Sequence, residues 1–278
     1  MKIAIIGCGY VGSALAIKLK KDGHSVTVTT RSKEKFSNLQ LISDHVCLIQ
    51  GNDLPAMKNL LLNQDAIVIS VAADDQDSYK STYQETAEIV SKACLDMPNL
   101  KQIVYTGSTS VYGDHQGRAV DENTPTEAQN VTSKILLATE NILLGLSSID
   151  LDRKVCVLRL GEIYGPGRRI SDRLRQMKDR ALPGDGSSIT NLSPLDDIVG
   201  GIEFALKNRL DGVYNLCNDV HISRKELYAR ICEEEGLEEV KWDPNRVSLH
   251  SGNKLVSNAK IKAAGYKQMG GQAVSAWF

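Results

Sequence analysis

The sequence predicts an α/β fold: a doubly wound parallel sheet followed by a small C-terminal substrate lobe. Three observations carry this. Short β-branched runs alternate with helical patterns along the first two-thirds of the 278 residues. Repeated βα units of that kind build an open parallel sheet with right-handed crossovers. The runs are continuously apolar rather than alternating, as expected when helices cover both faces of a sheet. Beyond Tyr164 the text turns to loop sequence, GPGRR and PGDGSS, and strands become sparse.

The elements follow in order. KIAII (2–6) is the first strand, and the glycine-rich stretch after it opens the first helix. SVTVT (25–29), HVCLI (45–49), DAIVIS (65–70), KQIVYT (101–106) and KVCVLRL (154–160) are the next strands, with GVYNL (212–216) the last. In STYQETAEIVSKACLDM (81–97), Tyr83, Ala87, Val90, Cys94 and Met97 recur at steps of three or four and line one helical face. The last sixty residues or so hold one clear helix near Arg224–Glu235, ending in an acidic run (Glu233, Glu234, Glu235, Glu238, Glu239) that reads as a solvated helix end. The expected division is a core of residues 1–165 joined by 190–218, and a lobe of 166–189 and 219–278. The apolar ending SAWF would either pack on that lobe or mark a shortened chain.

Composition excludes several classes. With 33 Lys+Arg against 34 Asp+Glu, the chain lacks the positive surplus of a sequence-blind nucleic-acid binder. Its apolar stretches fall short of the roughly 18–20 residues of a membrane helix. Strand-like sequence from Lys2 onward leaves no room for a targeting segment ahead of it. The six cysteines (8, 47, 94, 156, 217, 232) form no C-x-x-C pair and sit mostly in apolar runs, where a free thiol is a small hydrophobe. That pattern implies a reducing, cytoplasmic location without disulfides. The five histidines show no ligand spacing, so no metal site is expected.

The stretch IAIIGCGYVGSALAIKLKKDGH places G-x-G-x-x-G at Gly7, Gly9 and Gly12 between a strand and a helix, the context of a Rossmann-like dinucleotide turn. Gly7 permits the tight turn, Gly9 lets the backbone approach a pyrophosphate, and Gly12 lets the helix pack closely on the strand. Tyr10 and Val11 complete the helix start whose N–H groups would face the anion. An NAD site usually carries an acid about twenty residues further on. Here the text is VTVTTRSKEK, with Arg31 in that place. A guanidinium suits a 2′-phosphate better than a hydroxyl pair, so NADP is favoured over NAD, with Ser32, Lys33 and Lys35 assisting. Asp53 in GNDL would meet the adenine and Ala72 in SVAADD the ribose side; either also reads as a turn residue.

IVYTGSTSVYGD, with GCGYVG and RLGEIYGPGR, resembles the extended short-chain dehydrogenase/reductases, the NAD(P)-dependent epimerase/dehydratase group. PGDGSSITNLSPLDDIVGGI, GVYNLCND and VSNAKIKAAGY are similar to segments of an atypical subgroup, so the resemblance spans nearly the whole chain. It implies an oxidoreductase or epimerase/dehydratase acting on a small carbonyl, hydroxyl or nucleotide-linked substrate. Ser108 would polarise the substrate oxygen. Aligning S-K-I-L-L with the family's Y-x-x-x-K motif gives Lys134 the nicotinamide ribose and puts Asn130 where the acid/base tyrosine belongs. The resemblance also implies pairing of two copies through helices near 79–97 and 132–147.

Asn130 is the informative departure. A phenol with a pKa of about 10, lowered by a nearby ammonium, shuttles a proton at neutral pH; a carboxamide only hydrogen-bonds. Three alternatives stay open. Another group acts as acid (Tyr112, Tyr164, Asp114 or His115), a water or substrate group takes the proton, or the protein binds dinucleotide without turnover as a sensor or scaffold. Pro194, where the subgroup has histidine before its acidic pair, is a second departure. GRRISDRLRQMKDR carries six basic residues from Arg168 to Arg180, which would grip an anionic substrate or else form a solvated helix with i,i+4 pairs.

Overall fold

The computed structural model describes residues 1–177, 181–246 and 252–269. All seven predicted runs form strands: β1 (Lys2–Ile6), β2 (Ser25–Thr30), β3 (His45–Leu48), β4 (Ala66–Ile69), β5 (Gln102–Ser108), β6 (Lys154–Leu160) and β7 (Gly212–Leu216). They make one parallel sheet in the order β7-β6-β5-β4-β1-β2-β3. Strand order reverses between β1 and β4, and open sheets of this kind bind ligands at the carboxyl ends flanking such a switch. Ile3 pairs with Val26 and Ala66, and Ile5 with Val28 and Val68. Ile3, Ala4 and Ile5 are all fully buried, so both faces of β1 are covered, which is why its sequence does not alternate.

The helices that matter for the site are α1 (Tyr10–Lys21), α2 (Leu54–Leu61), α3 (Thr86–Cys94), α4 (Val131–Leu144), α5 (Ile170–Gln176), α6 (Leu195–Asn208) and α7 (Arg224–Glu235). One face of the sheet, with Ala4, Ile6, Ile67, Ile69 and Ile103, packs on Met57 and Leu61 of α2, Val90 and Cys94 of α3, and Leu143 of α4. Each fully buried Leu or Ile contributes about 1.5–3 kcal/mol. The predicted stripe at Ala87, Val90, Cys94 and Met97 is buried, with Tyr83 packed against it. The helix over 81–97 is not regular, however. Lys80–Glu85 form a π-helical turn ahead of α3, where the rings of Tyr79 and Tyr83 meet at 5.1 Å. Among the described residues no helix is long and apolar enough to cross a membrane.

The chain packs as two compact units. The first comprises 1–107, 131–159 and 201–213, and the second 108–130, 160–200 and 214–278. Segments 108–130, 160–165, 190–200 and 214–218, expected with the core, fall in the second unit because their partners lie there. Ala119–Val120 pairs with Leu255–Val256, and Glu162–Tyr164 with Leu192–Pro194. This unit has its own apolar centre of Tyr164, Ile170, Leu174, Leu192, Leu227 and Ile231. The predicted helix near Arg224–Glu235 is α7 to the residue. Ser223 caps it by accepting from Glu226 N at 3.1 Å, and Gly236 ends it with φ +62°. The SAWF ending lies outside the described residues.

Candidate functional site

In the first unit, β1 ends in the glycine turn. Gly7 has φ +90°, and a Cβ there would lie 2.6 Å from Ser70 O. A Cβ on Gly12 would lie 2.5 Å from Gly7 O, so α1 sits directly on the turn. Gly9 differs: a Cβ on it would meet nothing within 4 Å. Two glycines thus serve the turn itself, and the third keeps open the side from which a pyrophosphate would approach. The α1 helix begins at Tyr10, followed by Val11 and Gly12, with no side-chain cap and no acid in its first turn; a positive helix end of this kind suits an anion. The residues present fit a dinucleotide phosphate. Thr29, which motif reading passed over, ties the turn to β2. Its Oγ1 accepts from Gly7 N and its O from Cys8 N, both at 3.1 Å.

Arg31 follows β2 and donates to Asp74 Oδ2 at 3.0 Å, with side chains 48% and 80% exposed. Asp74 comes from the loop after β4, and β1 lies between β2 and β4, so the pair spans the end of the strand that carries the turn. Such an exposed pair is worth about 0–1 kcal/mol and would yield to a phosphate. Ser32 N donates to Thr30 Oγ1 at 3.1 Å. Lys33 and Lys35 are exposed, as is Ala72. Asp53 has a structural duty: it caps α2 by accepting from Ala56 N at 2.9 Å.

Lys134 is exposed on α4, whose buried stripe is Ser133, Leu136, Thr139, Glu140 and Leu143. At about 100° per residue it lies about 120° around the helix from Glu140. Asn130 stands just before the helix's first residue. The stripe is pinned by charge. Glu140 Oε2 accepts from Arg159 Nη2 at 2.7 Å and from Nε at 3.1 Å, with side chains 1% and 6% exposed. Burial pushes the Glu140 carboxyl up, and the Arg159 guanidinium pulls it back. A Cβ on Gly107 would fall 2.8 Å from Glu140 Oε1, so β5 itself makes room for the pair. The signal for both residues was present: a lone acid in SKILLATENILL and a lone arginine in VCVLRL.

In the second unit, Ser108 ends β5 and caps the next turn, its Oγ accepting from Ser110 N at 3.2 Å. The hydroxyl keeps its own proton to donate. Tyr112 is fully buried and donates to Asn215 Oδ1 at 2.9 Å. Tyr164 is buried too. His115 is buried with Nε2 2.9 Å from Tyr112 O. Asp114 is exposed and accepts from Gln116 N and Asn253 N, and those two N–H groups hold its carboxyl below the usual range. Lys254, which sequence reasoning missed, is buried. It donates to Gly113 O at 2.9 Å, and burial pushes its ammonium down.

Of the basic run, Arg168 and Arg169 are exposed. Arg173 pairs with Glu162, and Arg175 with Asp172 and Glu235. Lys178 and Arg180 lie outside the described residues. Pro194 ends the strand Leu192–Pro194, ahead of Asp196 and Asp197 in the first turn of α6. Among the described residues no group of His, Cys, Asp and Glu could hold a metal.

Comparison with known proteins places this arrangement. The chain is 31% identical to Protein YeeZ of Escherichia coli K12 over 271 residues, covering 94% of this chain and 92% of that one. It superposes on dTDP-glucose 4,6-dehydratase (DesIV) of Streptomyces venezuelae, solved with NAD bound, with a TM-score of 0.83 at 18% identity over 97% of this chain and 92% of that one. A UDP-glucuronic acid 4-epimerase variant of Bacillus cereus, in complex with a UDP-fluoro-glucuronic acid and NAD, superposes with a TM-score of 0.78 at 18% identity, covering 95% and 92%. The model of the NAD dependent epimerase/dehydratase family matches residues 3–217, and the chain belongs to that family.

Proposed function

We propose that the protein is an NADP-dependent oxidoreductase or epimerase-type enzyme acting on a nucleotide-linked sugar or a similar small hydroxyl or carbonyl compound. The glycine turn carries the proposal: Gly7 and Gly12 have no room for a side chain, whereas Gly9 opens outward at the start of α1. The bound nicotinamide would supply the hydride acceptor or donor. Gly7–Gly12 would hold the pyrophosphate, Asp53 and Ala72 would border the adenosine and ribose, and Arg31 would leave Asp74 for the 2′-phosphate. Ser108 would polarise the substrate oxygen through a hydrogen bond from its hydroxyl, its orientation set by the bond from Ser110 N. Tyr112 stays in its bond to Asn215 and shapes the wall. Lys134 has the weaker case. The S-K-I-L-L match gives it the nicotinamide ribose, while its place on α4 sets it off the sheet-facing stripe.

A specific observation favours a second reading, a dinucleotide-binding protein without turnover. Asn130 cannot move a proton, and among the family's usual helpers Tyr112 is already committed. Titration with NADPH and NADH, followed by nicotinamide fluorescence, tests the common ground, and binding of neither sinks both readings. Turnover of a UDP- or dTDP-sugar by the wild type supports the enzyme. Turnover only after Asn130→Tyr supports the silent binder. Lys134→Ala settles the ribose: a loss of about tenfold in dinucleotide affinity assigns it, and unchanged affinity leaves a surface lysine.

A further inference from the structure

A cluster of Glu162, Arg173 and Arg224 lies within the second unit and has no part in the chemistry above. Glu162 opens the strand Glu162–Tyr164, two residues past the carboxyl end of β6. Its carboxylate is 21% exposed and takes a hydrogen bond from Arg173 Nη2 of α5. Arg224 Nη2 stands 3.8 Å from the other carboxylate oxygen, an electrostatic contact too long for a hydrogen bond. Arg224 is the first residue of α7 and is held from two sides. Its backbone N–H donates to Ser188 O at 2.9 Å, and its guanidinium lies over the Tyr228 ring at 5.9 Å. That ring stacks on Trp242 at 5.9 Å and 17°. A Cβ on Gly186 would fall 2.8 Å from Trp242, so the loop between Leu182–Pro183 and Leu192–Pro194 is packed against the aromatic pair without slack.

The guanidinium is thus oriented but unspent. It offers a fork of five N–H donors, and among the described residues its side chain makes no hydrogen bond. Two guanidiniums against one carboxylate leave a positive surplus, and a planar fork suits oxygens of carboxylate or phosphoryl geometry. We infer that Arg224 anchors an anionic group of this protein's ligand, a phosphoryl or a carboxylate, and that Glu162 is the built-in counter-charge setting how tightly that group is held. This deepens the proposed function and rests on it for the ligand's being nucleotide-linked. An arriving anion takes the free donors of Arg224 while Glu162, still bound to Arg173, repels it. Removing the carboxylate therefore tightens binding, and removing the guanidinium weakens it.

Calorimetric titration of the full chain with UDP, UDP-glucose, UDP-glucuronic acid and free glucuronic acid tests this. Arg224→Gln is expected to lose about tenfold or more in affinity, Arg224→Lys to fall between it and the wild type, and Glu162→Gln to gain. Loss toward all three UDP compounds assigns a phosphoryl group, and loss toward the glucuronic acid compounds alone assigns the carboxylate. Equal affinities for wild type and both Arg224 variants overturn the inference. So does a wild type that takes up NADPH but none of the four probes. Failure of NADPH itself to bind strikes the proposed function instead, and the Arg224 comparison is still read from the probes.

Discussion

Replacing Glu140 by leucine strands a charge. The Arg159 side chain is 6% exposed, and its guanidinium gives its close bonds, at 2.7 and 3.1 Å, to the Glu140 carboxylate. Leucine is of similar size and would fill the site below Gly107, so the loss is almost purely electrostatic. Breaking a buried ion pair from one side costs about 3–5 kcal/mol because the survivor stays desolvated without its counter-charge. At about 2–4 °C per kcal/mol for a large domain, the midpoint of thermal unfolding should drop by about 6–20 °C. The companion is Glu140→Leu with Arg159→Met. Replacing both partners by apolar groups of similar volume is often neutral, so the double variant should regain most of the loss. Urea and thermal unfolding followed by circular dichroism decide it. The reasoning is refuted if Glu140→Leu costs under about 1 kcal/mol, or if the double variant is no more stable than the single one.

Three further outcomes are expected. Gly9→Ala should cost the fold no more than about 1 kcal/mol yet weaken NADPH binding about tenfold, whereas Gly7→Ala, at φ +90° and facing Ser70 O, should cost about 1–3 kcal/mol in urea unfolding; equal effects on stability would contradict the division of labour in the turn. Arg31→Ala should lower NADPH affinity about tenfold or more while leaving NADH unchanged, and Asp74→Ala should raise NADPH affinity slightly; fluorescence titrations that show no change in the NADPH-to-NADH ratio would remove Arg31 from the site. Lys254 is held below its usual pKa by burial, so between its folded value and the unfolded value of about 10.4 the unfolded chain binds the extra proton and stability rises with pH. That contribution is fully present above the unfolded value and is lost as pH falls through the folded one. Lys254→Met should flatten the alkaline side of the unfolding curve, and identical slopes would refute the burial argument.

The sheet was legible because each strand carries its own burial in its residues. KIAII is covered on both faces, and an apolar run with no alternation says so without reference to any partner. The glycine turn was legible for a similar reason, since φ +90° at Gly7 and the contact of Gly12 with Gly7 O are local demands that only glycine meets. The helix near Arg224–Glu235 was legible as well, and the structure ends it with the Ser223 cap and the left-handed Gly236. The π-turn at Lys80–Glu85 was not legible, because a single widened turn leaves the three-or-four spacing of apolar residues almost intact.

Taken alone, then, the sequence determined the parallel sheet, the glycine turn and the family. Each of these is written within one stretch of chain. Pairings between distant stretches were decided only by the tertiary structure. It locks Glu140 to Arg159 across 19 positions, ties Arg31 to Asp74 across 43, and gives the Tyr112 proton to Asn215 across 103. It also leaves Arg224 oriented beside Glu162 with no side-chain hydrogen bond among the described residues. Charge and hydrogen-bonding capacity are read from a residue's type. Whether they are already used is a matter of which groups the fold brings within about 3 Å, and no spacing in the sequence encodes that.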